Sequence, residues 1–176
     1  MRHPFALVAV ASCLLVAPLT AQRPHERSNL WFTIGAGCGS FGCEDDCGDR
    51  VGGPSSTIGI GGTLGQNVLL GVMLDGWTKE EQGARLSAGT VTAAVRLYPS
   101  SGSGFHLQGG VGLAVADAAF GGFSETESGP GAVLGLGWDI RVGRMISLTP
   151  YLRGVGLRIE DTNFNFGHVG LAVTLH

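Results

Sequence analysis

Cys38, Cys43 and Cys47 stand close together, with Glu44, Asp45, Asp46 and Asp49 interleaved among them. Thiols and carboxylates at this spacing can do two kinds of chemistry. In an oxidising compartment one disulfide is the expected state. Cys43–Cys47 and Cys38–Cys47 both satisfy it, and either leaves one thiol over. The carboxylates would also suit a hard cation such as calcium. The spacing is not that of an EF-hand loop, so the sequence favours a disulfide-stapled acidic loop over a dedicated metal site. Two glycine runs, Gly59-x-Gly61-Gly62 and Gly135-x-Gly137, lie inside alternating stretches with no helix to follow. They are not nucleotide-binding loops. No cofactor is expected from any of these patterns.

The start of the chain explains why an oxidising compartment is in question. Arg2 and His3 form a short basic head, Phe5 to Ala17 is apolar apart from Ser12, and Ala21 supplies a small residue at a cleavage position. Residues 1–21 therefore read as a secretory signal peptide. Val10-Ala11-Ser12-Cys13 also resembles a lipoprotein processing box, which would lipidate Cys13. Apolar sequence continuing to Leu19 favours the first reading. Residues 22–29 form a short N-terminal segment, and 30–176 a single domain of ordinary size.

That domain is poor in charge and rich in glycine. Charged residues make up 14% of the chain and glycines number 31, a load that helices do not tolerate. No stretch after the signal holds ~18 consecutive apolar residues, so no helix is expected to span a membrane. The net charge of −3 offers no basic stripe for nucleic acid.

The elements are strands, because apolar residues recur at every second position. Eight such stretches follow one another: Leu30 to Cys38, Thr57 to Leu64, Val68 to Leu74, Thr90 to Leu97, Phe105 to Val115, Leu134 to Arg141, Ile146 to Ile159 and Asn165 to the end. Leu107, Leu113, Leu134, Leu136, Leu171 and Val173 lie on the apolar stripes. The opposite stripes carry glycine, threonine and small residues, too small and uncharged for a solvated exterior. The pattern is that of a barrel whose outer wall touches lipid: all-β, an eight-stranded antiparallel up-and-down transmembrane β-barrel. Long connections are expected at Gly39–Pro54, Thr78–Ala84, Ala118–Ser128 and Glu160–Phe164, and short turns at Gly65–Asn67, Pro99–Gly104 and Gly143–Met145. Trp31, Phe32, Tyr98, Phe105 and Trp138 would form one aromatic girdle, and Trp77, Phe120, Phe123, Phe164 and Phe166 the other. In the seventh strand Val155, Leu157 and Ile159 fall on the inward parity, so a β-bulge near Gly154 is expected to return them to the lipid.

The end of the chain carries a more specific signal. His168-Val169-Gly170-Leu171-Ala172-Val173-Thr174-Leu175 resembles the assembly signal of the small outer-membrane β-barrel superfamily that includes OmpA-type and OmpX-type barrels. Its key positions are His168, Gly170, Val173 and Leu175. The family usually closes on an aromatic residue, whereas here Leu175 is followed by His176. Ser147-Leu148-Thr149-Pro150-Tyr151-Leu152-Arg153 also looks like the penultimate strand of such barrels. The resemblance implies the outer membrane of a diderm bacterium as location. It also implies lipid and lipopolysaccharide around the wall, the barrel-assembly machinery as a partner, and a monomer. One enzymatic lineage on this fold removes an acyl chain from lipid A and resembles a His-x-Ser arrangement. Neither His106 nor His168 has a serine two residues on, so no catalytic residues are expected.

Inward parity then gathers a polar cluster: Arg96, His106, Gln108, Asp139 and Arg141 near one end of the lumen, with Arg153 somewhat further in. Charges taken out of water must pair, and Asp139 is the natural anion for Arg141, Arg96 or Arg153. Beyond this plug, Gly59, Gly61, Gly112 and Ala114 predict a hollow half. The function expected is structural or surface-interacting, with a small pore or ligand-transfer barrel as the alternative.

Overall fold

A computed structural model describes residues 27, 30–43, 50–81, 83–121, 123–159 and 162–176. The expected signal peptide, most of segment 22–29, and Cys47 with its acidic neighbours lie outside these residues. The strands are β1 (Leu30–Cys43), β2 (Val51–Gly65), β3 (Val68–Glu81), β4 (Ala84–Leu97), β5 (Phe105–Phe120), β6 (Phe123–Trp138), β7 (Ile140–Arg141), β8 (Ile146–Ile159) and β9 (Thr162–Leu175). Consecutive strands pair antiparallel except β6 and β7, β1 pairs with β9, and β6 pairs with β8. β6 and β7 are one stave interrupted at Asp139, because both keep the same register on β8, with Leu136 opposite Leu152 and Ile140 opposite Leu148. The sheet thus closes as eight staves, which leaves few strand edges open.

The outward stripe is as the alternation requires. Leu107, Leu113, Leu134, Leu136, Leu171 and Val173 all lie on the outer wall, between 43% and 75% exposed. With the other outward leucines, isoleucines and valines they form an apolar belt around the half of the barrel nearer the short turns.

The strands are longer than the sequence suggests. Much of each long connection is strand, and the links shrink to residues 44–50, 82–83, 121–122 and 160–161. The physical reason is backbone hydrogen bonding, since a ladder once begun satisfies each N–H and C=O without loop chemistry. Gly83 (φ 81°) and Gly121 (φ 58°) make the tight links, in a conformation open to residues without a Cβ. At roughly 3.3 Å per residue and a tilt of about 40°, strands of this length make a wall on the order of 35–40 Å tall. A lipid-facing belt needs only about 25 Å.

Above the belt the wall reverses its polarity. On β8 the outward residues change from Ile146, Leu148 and Leu152 to Gly154, Gly156 and Arg158, while Val155 and Leu157 point inward and are buried. The expected bulge near Gly154 is therefore absent, and the pairing runs without a shift from Gly131–Leu157 to Gly137–Tyr151. A shift occurs instead between Thr63 and Gly65. Where lipid gives way to water outside, the apolar side chains belong inside, so no extra residue is needed.

Candidate functional site: the lumen and the upper rim

The lumen is filled in layers. At the lower end, beside the short turns, Arg27 is buried and lies over the Tyr98 ring, 3.4 Å from its centroid. It donates to the carbonyls of Gln66 (3.0 Å) and Ser103 (2.8 Å), which ties two turns together. Burial pulls its pKa below the usual arginine value, and the nearby Tyr98 and Asp139 oppose that pull.

Asp139 is the centre of this lower layer. Its carboxylate accepts hydrogen bonds from the Tyr98 hydroxyl and the Thr149 hydroxyl, both at 2.7 Å. His176 Nε2 lies 3.3 Å away and His106 Nδ1 3.8 Å. Its backbone N–H donates to Gly104 O (2.9 Å), which carries the β5–β6 register one pair beyond Phe105 opposite Trp138. Thr149, Thr174 and Thr33 continue as a chain of hydroxyls at 3.0 and 2.9 Å. His176, the residue beyond the resembled signal, thus turns into the lumen and closes its lower end.

Arg96 and Arg153 take partners other than the expected Asp139. Arg96 Nε donates to Gln108 Oε1 (3.1 Å), and its guanidinium sits 4.5 Å from the Trp31 ring centroid beside Met73. Arg153 pairs with Asp75 at 2.7 Å, donates to the Thr57 hydroxyl, and lies over the Tyr151 ring. His168 Nε2 is 3.5 Å from the same Asp75 oxygen. Arg141 is half-buried opposite Ser147 at the lower end. The sequence reading missed Asp75 although its parity was visible. Leu70, Val72 and Leu74 face out, so Met73 and Asp75 face in.

The expected hollow half does not exist. Gly59 and Gly61 lie low on β2, and they make room for bulk supplied by neighbouring strands. A Cβ at Gly59 would stand 2.1 Å from Met73 Sδ and 3.0 Å from the Trp31 ring. Gly112 is pressed against β4 in the same way, 1.9 Å from Val91 O. Above the Asp75–Arg153 pair the lumen is packed with Trp77, Phe41, Ala88, Ala114, Val133, Val155, Leu157 and Phe166. Trp77 stacks on Phe41 with ring centroids 5.1 Å apart, and Phe41 on Phe164 at 5.8 Å.

These positions also correct the girdles. Trp31, Tyr98, Trp77 and Phe166 are buried lumen fillers. Phe105 and Trp138 do stand on the outer wall, in contact at 6.0 Å. Phe120 and Phe123 rise past the belt to the upper rim.

The remaining expected residues are dispersed. Cys38 is exposed on the outer wall of β1, and the disulfide alternatives fall outside the described residues. Among the described residues no group of three or more His, Cys, Asp or Glu is placed to hold a metal ion. His168 points inward against Tyr151 and Phe166, Gly170 lies beneath the Tyr151 hydroxyl, and Val173 and Leu175 face outward.

No protein-family model matches the sequence, and no curated protein matches it. Solved structures do match. Neisserial surface protein A aligns with a TM-score of 0.65 at 16% identity, over 84% of this chain and 97% of that one. The attachment invasion locus protein Ail of Yersinia pestis aligns at 0.62 and 12% identity, over 84% and 99%. The N-terminal β-barrel domain of Pseudomonas aeruginosa OprF aligns at 0.51 and 14% identity, over 85% and 100%. At these identities the shared feature is the fold, and the chain has the fold of the small eight-stranded outer-membrane β-barrel proteins.

Proposed function

We propose that this chain is a non-conducting outer-membrane barrel of a diderm bacterium that stabilises the envelope and presents its upper rim to partners. On this reading it is exported by the signal at 1–21, inserted by the barrel-assembly machinery through the His168–Leu175 signal, and sits as a monomer in lipid and lipopolysaccharide. The short turns then face the periplasm and the upper rim the outside. The observation that carries the reading is double occlusion of the lumen. A buried ionic network fills the lower and middle levels, and an aromatic and aliphatic plug fills the upper one. Eight-stranded barrels generally have interiors filled by side chains. Catalysis is not part of this proposal. Of the buried histidine–carboxylate contacts, His168 with Asp75 lies beneath the apolar plug, and His106 and His176 flank Asp139 at the lower end of the lumen.

A second reading comes from Ail, which has also been solved in complex with the heparin analogue sucrose octasulfate. A polyanion suits this rim poorly, because the connections 44–50 and 160–161 carry six carboxylates against one basic residue, Arg50.

Planar-bilayer recording on purified protein tests the occlusion. We expect no steady single-channel current from the wild type, and none from an Arg96→Ala, Arg141→Ala, Arg153→Ala variant, since the apolar plug remains. Currents are expected when Trp77→Ala and Phe166→Ala are added. Large steady wild-type currents would overturn the reading in favour of a pore.

A further inference from the structure

The barrel does not close evenly at the top. β6 pairs with β8 only as far as Gly131 opposite Leu157. Above that point β6 continues through Pro130 to Phe123, still paired with β5. Among the described residues no strand covers its other edge there, and Arg158 and Ile159 are not paired with it although the register would reach them. Pro130, which has no N–H to offer, begins the separation. An open edge exposes a row of backbone donors and acceptors, and an extended peptide can add to it.

The side chains beside this edge have a definite chemistry. Phe123 is 85% exposed and Phe120, opposite it across the hairpin, is 68% exposed. The last large apolar residue on the outer face of β5 is Val115. Phe120 stands roughly 13 Å above Val115 by strand rise and tilt and lies on the opposite, lumen-side parity of β5 with Ala114 and Ala118, so it does not anchor in lipid. The two rings border a cleft of about 670 Å³ that Val51, Leu86, Glu81 and Glu125 also line. The two cations there are occupied, Lys79 by Glu81 at 3.5 Å and Arg85 by Glu80 at 3.1 Å. Glu125 and Glu127 share the Phe123 face of β6 and make no ion pair among the described residues.

Resting on the surface-interaction reading above, we propose that the free edge of β6, from Phe123 to Gly129, receives an extended cationic peptide segment. One side of the incoming strand would carry an apolar residue against Phe123 and Phe120. The next two positions on that side would carry Lys or Arg against Glu125 and Glu127. Backbone hydrogen bonds supply affinity, and the alternating side chains select the partner. The charge pattern steers approach and rejects acidic strands.

The probe is a capped synthetic peptide with one leucine and two lysines at alternate positions and threonines between them. Binding is read by fluorescence anisotropy on the full barrel in nanodiscs of zwitterionic lipid. We expect saturable binding that weakens as salt rises. Replacing the lysines by glutamate should abolish it, and N-methylating the edge-facing amides should do the same. In the protein, E125Q with E127Q should weaken binding roughly fivefold to tenfold, since each exposed ion pair contributes little. Phe123→Ser should weaken it further. Equal binding of the lysine and glutamate peptides would overturn the proposal. So would undiminished binding of the N-methylated peptide, no binding by folded wild type, or self-association through Phe120 and Phe123 in sedimentation. These outcomes leave bilayer conductance untouched, so the occlusion reading fails or stands separately.

Discussion

Asp75→Ala is expected to destabilise the folded barrel by about 3–5 kcal/mol, the usual cost of removing one partner from a buried ion pair. The carboxylate pairs with Arg153 at 2.7 Å, and both side chains are almost wholly out of solvent. Without it the guanidinium keeps the Thr57 hydroxyl and the Tyr151 ring but loses its counter-charge. Arg153→Ala should cost a similar amount by stranding Asp75. The cost belongs to the uncompensated charge and not to lost packing. The double variant Asp75→Leu, Arg153→Met should therefore be more stable than either single one. Denaturant titration of the refolded barrel, followed by heat-modifiable mobility on gels, measures all three. Additive losses in the double variant would show that the pair is not a coupled unit.

The second large effect separates two populations of glycine. A Cβ on Gly61 would stand 1.9 Å from Leu70 O and 2.5 Å from the Gly71 Cα. Both contacts are backbone, so the neighbouring strand would have to move. We expect Gly61→Ala to cost about 3 kcal/mol or to prevent folding, at the upper end of overpacking effects. Gly154 and Gly156 lie on the outer wall of β8, where a Cβ would meet nothing within 4 Å. Alanine there should change stability by about 0.5 kcal/mol or less in either direction. The yield of folded barrel on refolding into detergent compares them directly. Equal tolerance at Gly61 and Gly154 would mean that glycine is used for flexibility throughout and not for close approach.

The lower half of the barrel was legible in the sequence, because lipid outside and polar residues inside give an alternation with one sense. Leu134, Leu136, Leu171 and Val173 could be placed from parity alone. The same parity turns Asp75 and Trp31 inward, but β3 otherwise reads as an apolar stripe and a tryptophan at a strand end reads as a girdle residue, so neither was legible as a lumen residue. The upper half was not legible. There the outside meets water, the alternation changes sense, and glycines such as Gly52, Gly53 and Gly129 look like loop residues. A strand whose two faces exchange character midway leaves no periodic signal across the exchange. The bulge expected at Gly154 came from forcing one polarity on a strand that carries both. The pairing of Arg153 with Asp75 needed the register of β8 across the lumen from β3, which local spacing does not encode.

The outer wall is apolar below and polar above, and side chains pack the lumen at both levels. Single spin labels placed along β8 in a cysteine-free background, in lipid bilayers, test this most directly. Labels at Leu148 and Leu152 should contact oxygen dissolved in the lipid, and labels at Gly156 and Arg158 should contact a water-soluble nickel reagent. Labels at Val155 and Leu157 should be immobile and reached by neither. If those at Val155 and Leu157 contact lipid while Gly154 and Gly156 turn inward, β8 carries the bulge after all and the polarity reversal is wrong.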